Sequence, residues 1–177
     1  GVLTHGARQF MRTDGPTGTR DLLVNMNQFI RDHFGYAARE EEGTQTPLQT
    51  LKLGTGSCRD FALLMMEAAR RLGVATRFVS GYLYDPTLDG AAGGAAADAA
   101  TVGAGATHAW LQAYLPGAGW VPFDPTNNLL GGNQLIRVGV ARDPSQASPI
   151  SGSWYGAANA YLGMTATVQV RRVVAGG

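Results

Sequence analysis

The chain has 177 residues, 45% of them hydrophobic and 15% charged, enough for one well-cored domain and short for two. Fourteen Lys and Arg against thirteen Asp and Glu leave a formal charge of +1, with no basic excess to favour nucleic acid as partner. A lone cysteine excludes an intramolecular disulfide framework and a multi-cysteine zinc site, and no apolar run approaches the ~18 residues needed to span a bilayer.

In chain order, the turn-rich residues 13–19 lead into a segment where Leu22, Met26, Phe29 and Ile30 recur at helical spacing. The spacing predicts a helix over about residues 17–34, with Gly35 just past its end where a C-terminal glycine is favoured. A polar stretch, residues 39–46, precedes Pro47-Leu48-Gln49-Thr50-Leu51 and the loop Gly54-Thr55-Gly56-Ser57. From Cys58 the pattern is again helical: Phe61, Leu64, Met65, Ala68 and Leu72 form one stripe. Ser57 is placed to cap this helix, and Asp60 sits in the first turn, where the helix dipole favours an acid. Residues 74–84 then read as a strand.

Residues 85–107 break the pattern, and from 90 to 106 the chain is almost entirely glycine and alanine. Interspersed glycines each cost a helix about 1 kcal/mol, so this segment reads as a flexible loop. Two uses stay open: a dispensable insertion, or a lid over a site, since the loop runs directly into His108. Strand signals return over residues 108–115, 120–123 and 134–140, with Pro116-Gly117-Ala118-Gly119 as a tight hairpin connection, and a last alternating run covers residues 165–174. Helices followed by antiparallel strands make an α+β domain spanning residues 1–177. No signal peptide is visible, which favours a cytoplasmic location; the start at Gly1 without Met suggests an excised part of a longer protein.

Three residues carry the chemistry. Cys58 stands at the first turn of its helix, behind a glycine-rich loop. N–H groups unpaired at a helix N-terminus stabilise an anion, which favours a reactive thiolate, and Arg59 would add to this if it faced the sulfur. The same loop lets a carbonyl approach the backbone, so the Cys58 N–H is a candidate oxyanion donor. Cys58 also falls near the apolar stripe, so a buried structural thiol fits its phase equally well. His108 favours the reactive reading: it opens a strand, and Trp110 two residues on shares its face and would shield the imidazole. Asp124 ends the apolar run that follows, where a hairpin brings it beside His108; it would fix the tautomer and stabilise imidazolium. An Asx cap of the Asp124-Pro125-Thr126 turn is the other reading of that carboxylate. His5 and His33 read as surface residues.

The segments Gly54-Thr55-Gly56-Ser57-Cys58-Arg59-Asp60-Phe61-Ala62, Arg77-Phe78-Val79-Ser80-Gly81-Tyr82, Thr107-His108-Ala109-Trp110 and Gly119-Trp120-Val121-Pro122-Phe123-Asp124-Pro125-Thr126 occur in an order that resembles the bacterial transglutaminase-like superfamily. The resemblance covers about residues 17–143, and the Arg142-Asp143-Pro144-Ser145 run and residues 149–156 are similar to the tail of such proteins. It implies a papain-like fold, N-terminal helices packed on an antiparallel sheet, and a Cys, His, Asp triad mapping onto Cys58, His108 and Asp124. Arg59 departs from the tryptophan that follows the cysteine in animal transglutaminases, and no acidic cluster is placed as a calcium site, so calcium activation does not carry over.

The expected function is thiol-dependent acyl transfer from a glutamine side chain or peptide bond of a protein or peptide substrate, with no metal or organic cofactor. A peptide-binding module retaining the fold and an arylamine-type acyltransferase are the alternatives. Gln49 is a candidate oxyanion side chain, Asn127 or Asn128 an alternative orienter of His108, and Arg142 with Asp143 an expected ion pair.

Overall fold

In the computed structural model of the chain, the residues described are 1–39, 43–88, 101–153, 155–157, 159–163 and 165–173. The elements in order are α1 (Val2–Arg8), α2 (Thr19–His33), β1 (Gly35–Tyr36), α3 (Pro47–Leu53), β2 (Thr55–Gly56), α4 (Cys58–Arg71), β3 (Thr76–Leu83), β4 (Thr107–Leu115), β5 (Gly119–Asp124), β6 (Leu129–Leu130) and β7 (Leu135–Ala141), with 3-10 turns at Pro86–Leu88 and Pro144–Ala147. Helices α2 and α4 fall where the apolar spacing places them. Their stripes meet one face of the sheet: Leu22, Met26, Ile30, Phe61, Leu64, Met65 and Ala68 cluster with Phe78, Ala109, Leu111, Ala113 and Phe123. Each of the larger side chains contributes roughly 1.5–3 kcal/mol by leaving water.

The sheet is antiparallel throughout, in the order β6-β5-β4-β3-β7. The β4–β5 hairpin closes as its short connection requires, with Leu111 opposite Phe123 and Leu115 opposite Gly119. Strand β7 crosses to the far edge and pairs with β3, with a register shift between Ser80 and Gly81. The result is the α+β architecture that the element order implies.

Several local expectations are corrected. Gly35 is not a left-handed cap: α2 ends at Phe34, and Gly35 pairs with Thr55 in the parallel β1–β2 ladder. A Cβ there would stand 3.2 Å from the Thr55 methyl, so any larger residue would have to push that methyl aside. Helix α1 has no counterpart in the sequence reading; at seven residues its periodicity is too short to register. Residues 165–173 form no strand despite their alternation, and Val174 lies outside the described residues. Alternation records only what a strand would present; without a partner ladder it forms none. Asp143 accepts hydrogen bonds from Ser145 N and Oγ at 2.9 and 2.6 Å, capping a 3-10 turn rather than pairing with Arg142. Of the 85–107 loop, residues 89–100 lie outside the described residues, while 101–106 form turns immediately before β4. Among the described residues, no helix is long and apolar enough to cross a membrane.

Candidate active site

Cys58 is the first residue of α4, and the loop before it is built to hold that position. Gly54 closes α3 in the left-handed region at φ 66°, and Gly56 brings the chain against α4. A Cβ on Gly56 would lie 3.0 Å from the Asp60 Cβ and 3.2 Å from the Phe61 ring. Asp60 is fully buried and fastens the turn. Its Oδ2 accepts from Ser57 N at 2.8 Å and Ser57 Oγ at 2.9 Å, and its Oδ1 from Arg39 Nη1 at 3.0 Å and Gln45 N at 2.7 Å. The first-turn acid of the sequence reading is therefore also the anchor of the preceding loop.

His108 and Asp124 come from neighbouring strands of the β4–β5 hairpin and are both buried. His108 Nε2 lies 2.9 Å from Asp124 Oδ2. Asp124 Oδ1 accepts from Thr126 N at 2.9 Å, so the Asx turn and the histidine contact coexist, one oxygen for each. Trp110 covers the imidazole with ring centroids 6.0 Å apart and planes 26° from parallel. With Nε2 taken by Asp124, Nδ1 is the ring nitrogen left for another partner. Nδ1 has no hydrogen-bond partner, and the Cys58 side chain interacts with the imidazole as a whole. Burial alone would drive His108 towards its neutral form. The Asp124 hydrogen bond, the interaction with Cys58 and the charges of both more than offset it, raising His108 to about 10. The imidazole is thus held as imidazolium at neutral pH.

The other sequence candidates resolve differently. Gln49 Oε1 accepts from Thr46 N at 2.8 Å and Thr46 Oγ1 at 2.9 Å. This is the capping box of α3, which commits the amide oxygen of Gln49 to the head of that helix. Arg59 donates to the carbonyls of Pro144 at 2.7 Å and Ala147 at 3.3 Å, its guanidinium over the Phe78 ring, and it still interacts electrostatically with Cys58. Asn127 and Asn128 do not replace Asp124. Asn127 Nδ2 donates to Asp124 Oδ2 at 3.0 Å, and Asn128 accepts from Asn27 at 3.0 Å. His5 and His33 are exposed, as expected.

Tyr36 is the residue that sequence reasoning missed. It is 43% exposed, and β1 pairing sets it opposite Gly56, two residues before Cys58. Partial burial first, then the charges of Cys58, Asp124 and Asp60, raise its phenol to about 12, so it remains a donor at neutral pH. No spacing rule reaches it, because a two-strand parallel contact between loops brings it to the site. Among the described residues, no three His, Cys, Asp or Glu side chains converge as a metal site.

Comparison with known proteins places the chain in a family and a fold. The family model of the transglutaminase-like superfamily matches residues 7–125. An uncharacterized protein of Mycobacterium leprae is 38% identical over 137 residues, covering 77% of this chain and 46% of its own. One from Mycobacterium tuberculosis is 35% identical over 139 residues, covering 76% and 42%. The chain thus spans less than half the length of these relatives. Among solved structures, a Cytophaga hutchinsonii protein provisionally named a cysteine protease superposes with a TM-score of 0.61 at 22% identity, over 83% of this chain and 44% of that one. Calcium-bound Legionella pneumophila LapG gives 0.55 at 16% identity, over 79% and 72%. These two likenesses are of fold. With the family model spanning both the head of α4 and the β4–β5 hairpin, the chain belongs to the transglutaminase-like superfamily.

Proposed function

We propose that the protein is a thiol-dependent acyl-transfer enzyme acting on a glutamine side chain or peptide bond of a protein or peptide. The observation that carries this reading is the buried His108–Asp124 pair at 2.9 Å, with Nδ1 unpartnered and Cys58 near enough to act on the imidazole. The Cys58 sulfur, its proton held on His108, attacks the amide carbonyl carbon and forms a tetrahedral oxyanion. The C–N bond then breaks, His108 protonates the departing amine, and a thioester remains on Cys58. Water or an amine attacks the thioester, passes a proton to His108 and returns the thiolate. Asp124 keeps the imidazole in one orientation and balances its charge throughout. The Cys58 N–H at the head of α4 and the protonated Tyr36 phenol are the oxyanion donors in this reading. Turnover needs no calcium.

The testing experiment compares alkylation of Cys58 by iodoacetamide from pH 5 to 10 in the wild type and in His108→Ala. Fast alkylation persisting below pH 7 in the wild type and lost in the variant supports the reading. A profile that follows an ordinary thiol near pH 8.5 and is unmoved by the substitution would sink it. Product analysis with glutamine-containing peptides, with and without a primary amine, then separates hydrolysis from transamidation.

A further inference from the structure

Residues 101–106 turn over the imidazole immediately before β4. Gly103 has φ +89°, and a Cβ built on it would lie 2.6 Å from His108 Nδ1 and 3.3 Å from Cε1. The backbone of this segment therefore borders the ring edge that receives the thiol proton. Ala104 within it is buried, so the segment is packed down rather than projecting.

Two polar side chains outside the Cys58, His108 and Asp124 set hold it there. Asp85, buried after β3, accepts from Thr101 N at 2.9 Å through Oδ2 and from Thr87 N and Oγ1 at 2.9 and 2.7 Å through Oδ1. Asn127 uses its amide in three directions. Its Oδ1 accepts from Val102 N at 2.9 Å, and its Nδ2 donates to Val102 O at 2.9 Å and to Asp124 Oδ2 at 3.0 Å. One side chain thus ties the segment above the ring to the carboxylate that holds the ring. Asn27, fully buried on α2, steadies the same loop by donating to Asn128 Oδ1.

We propose that residues 101–106 are a cap that sets the free edge of His108, and that Asn127 is the positioning residue coupling this cap to Asp124. The inference rests on the triad reading above. The cap keeps water from the imidazole while its glycine leaves Nδ1 open to the thiol; any side chain at 103 would intrude at that edge. Because the clamp on Val102 is adjacent to Gly103, release of the clamp gives the cap room to retreat.

The experiment is a double-mutant cycle of Gly103→Ala and Asn127→Ala, read as the rate of Cys58 alkylation at pH 6 and its full pH profile, with His108→Ala as control. Gly103→Ala is expected to slow alkylation at pH 6 about tenfold in the wild-type background. In the Asn127→Ala background the same change costs less than about threefold, because the freed cap absorbs the added methyl. Asn127→Ala alone slows the pH 6 reaction about threefold and speeds hydrogen exchange at the Val102 amide, with amides of α2 unchanged. That localised exchange keeps the inference testable if Gly103→Ala folds poorly. An unchanged pH 6 rate in both single variants, additive effects, or unaltered Val102 exchange in Asn127→Ala would overturn the cap while His108→Ala still abolishes the low-pH reaction. Should His108→Ala itself leave the profile untouched, the triad reading fails and the cap inference with it.

Discussion

Two buried carboxylates of this region, Asp60 and Asp124, are satisfied in different ways. Asp60, at the head of α4, accepts four hydrogen bonds, one from the permanently charged guanidinium of Arg39. Asp124, at the end of β5, accepts three, and among the described residues its cationic partner is a histidine. A guanidinium does not give up its proton near neutral pH, so the Asp60 cluster can fix the loop but move no charge. An imidazole can exchange its proton, so the Asp124 cluster is a place where a proton can be held and handed on. Burial alone does not separate scaffold from chemistry; the titratability of the partner does.

The comparison is broken most severely by Asp124→Asn. The new amide would face His108 Nε2 with a donor or favour the other tautomer, placing the ring proton on Nδ1 where the thiol proton must go. We expect turnover and low-pH alkylation of Cys58 to fall about 10²- to 10⁴-fold with the fold retained, checked by alkylation kinetics beside circular dichroism. Asp60→Ala should act on the other side of the contrast. Removing Asp60 takes the acceptor from Gln45 N and Ser57 and breaks a buried ion pair, so denaturant unfolding should show a loss of about 3 kcal/mol. The folded fraction should keep the pH profile of alkylation.

Smaller effects sharpen the same contrast. Tyr36→Phe removes one proposed oxyanion donor and should lower kcat about 10²-fold with little change in Tm. The pH dependence of stability follows from His108, raised in the folded state to about 10 from 6.5. A raised base stabilises the fold fully below its unfolded value, and that contribution fades as pH climbs from about 6.5 towards 10. Unfolding free energy should therefore decline over this window in the wild type, and the decline should be absent in His108→Ala. The smallest expected effect is that of calcium: chelation with EGTA should leave both Tm and alkylation unchanged, and a loss of either would place a calcium site in the protein.

The sequence by itself determined a good deal. Apolar spacing located α2 and α4, alternation and a short turn located the β4–β5 hairpin, and these place Cys58 at a helix head and His108 and Asp124 on adjacent strands. Such features are local: a stripe or a hairpin depends on residues within about a dozen positions, which one sequence window contains. Tertiary structure decided the rest. Tyr36 reaches the site only because two short loops pair, and β7 lies beside β3 rather than β5 through a crossover that no local pattern encodes. Gln49 and Arg59 have polar side chains whose hydrogen-bond partners only packing assigns: a capping box for the Gln49 amide oxygen and backbone carbonyls for the Arg59 guanidinium. Asn127 was legible as a polar residue near Asp124, but its clamp on Val102 spans twenty-five positions of chain. A side chain's chemistry is written in its identity, whereas which of several competent partners it meets is settled only when distant segments pack and the best-satisfied set of buried polar groups prevails.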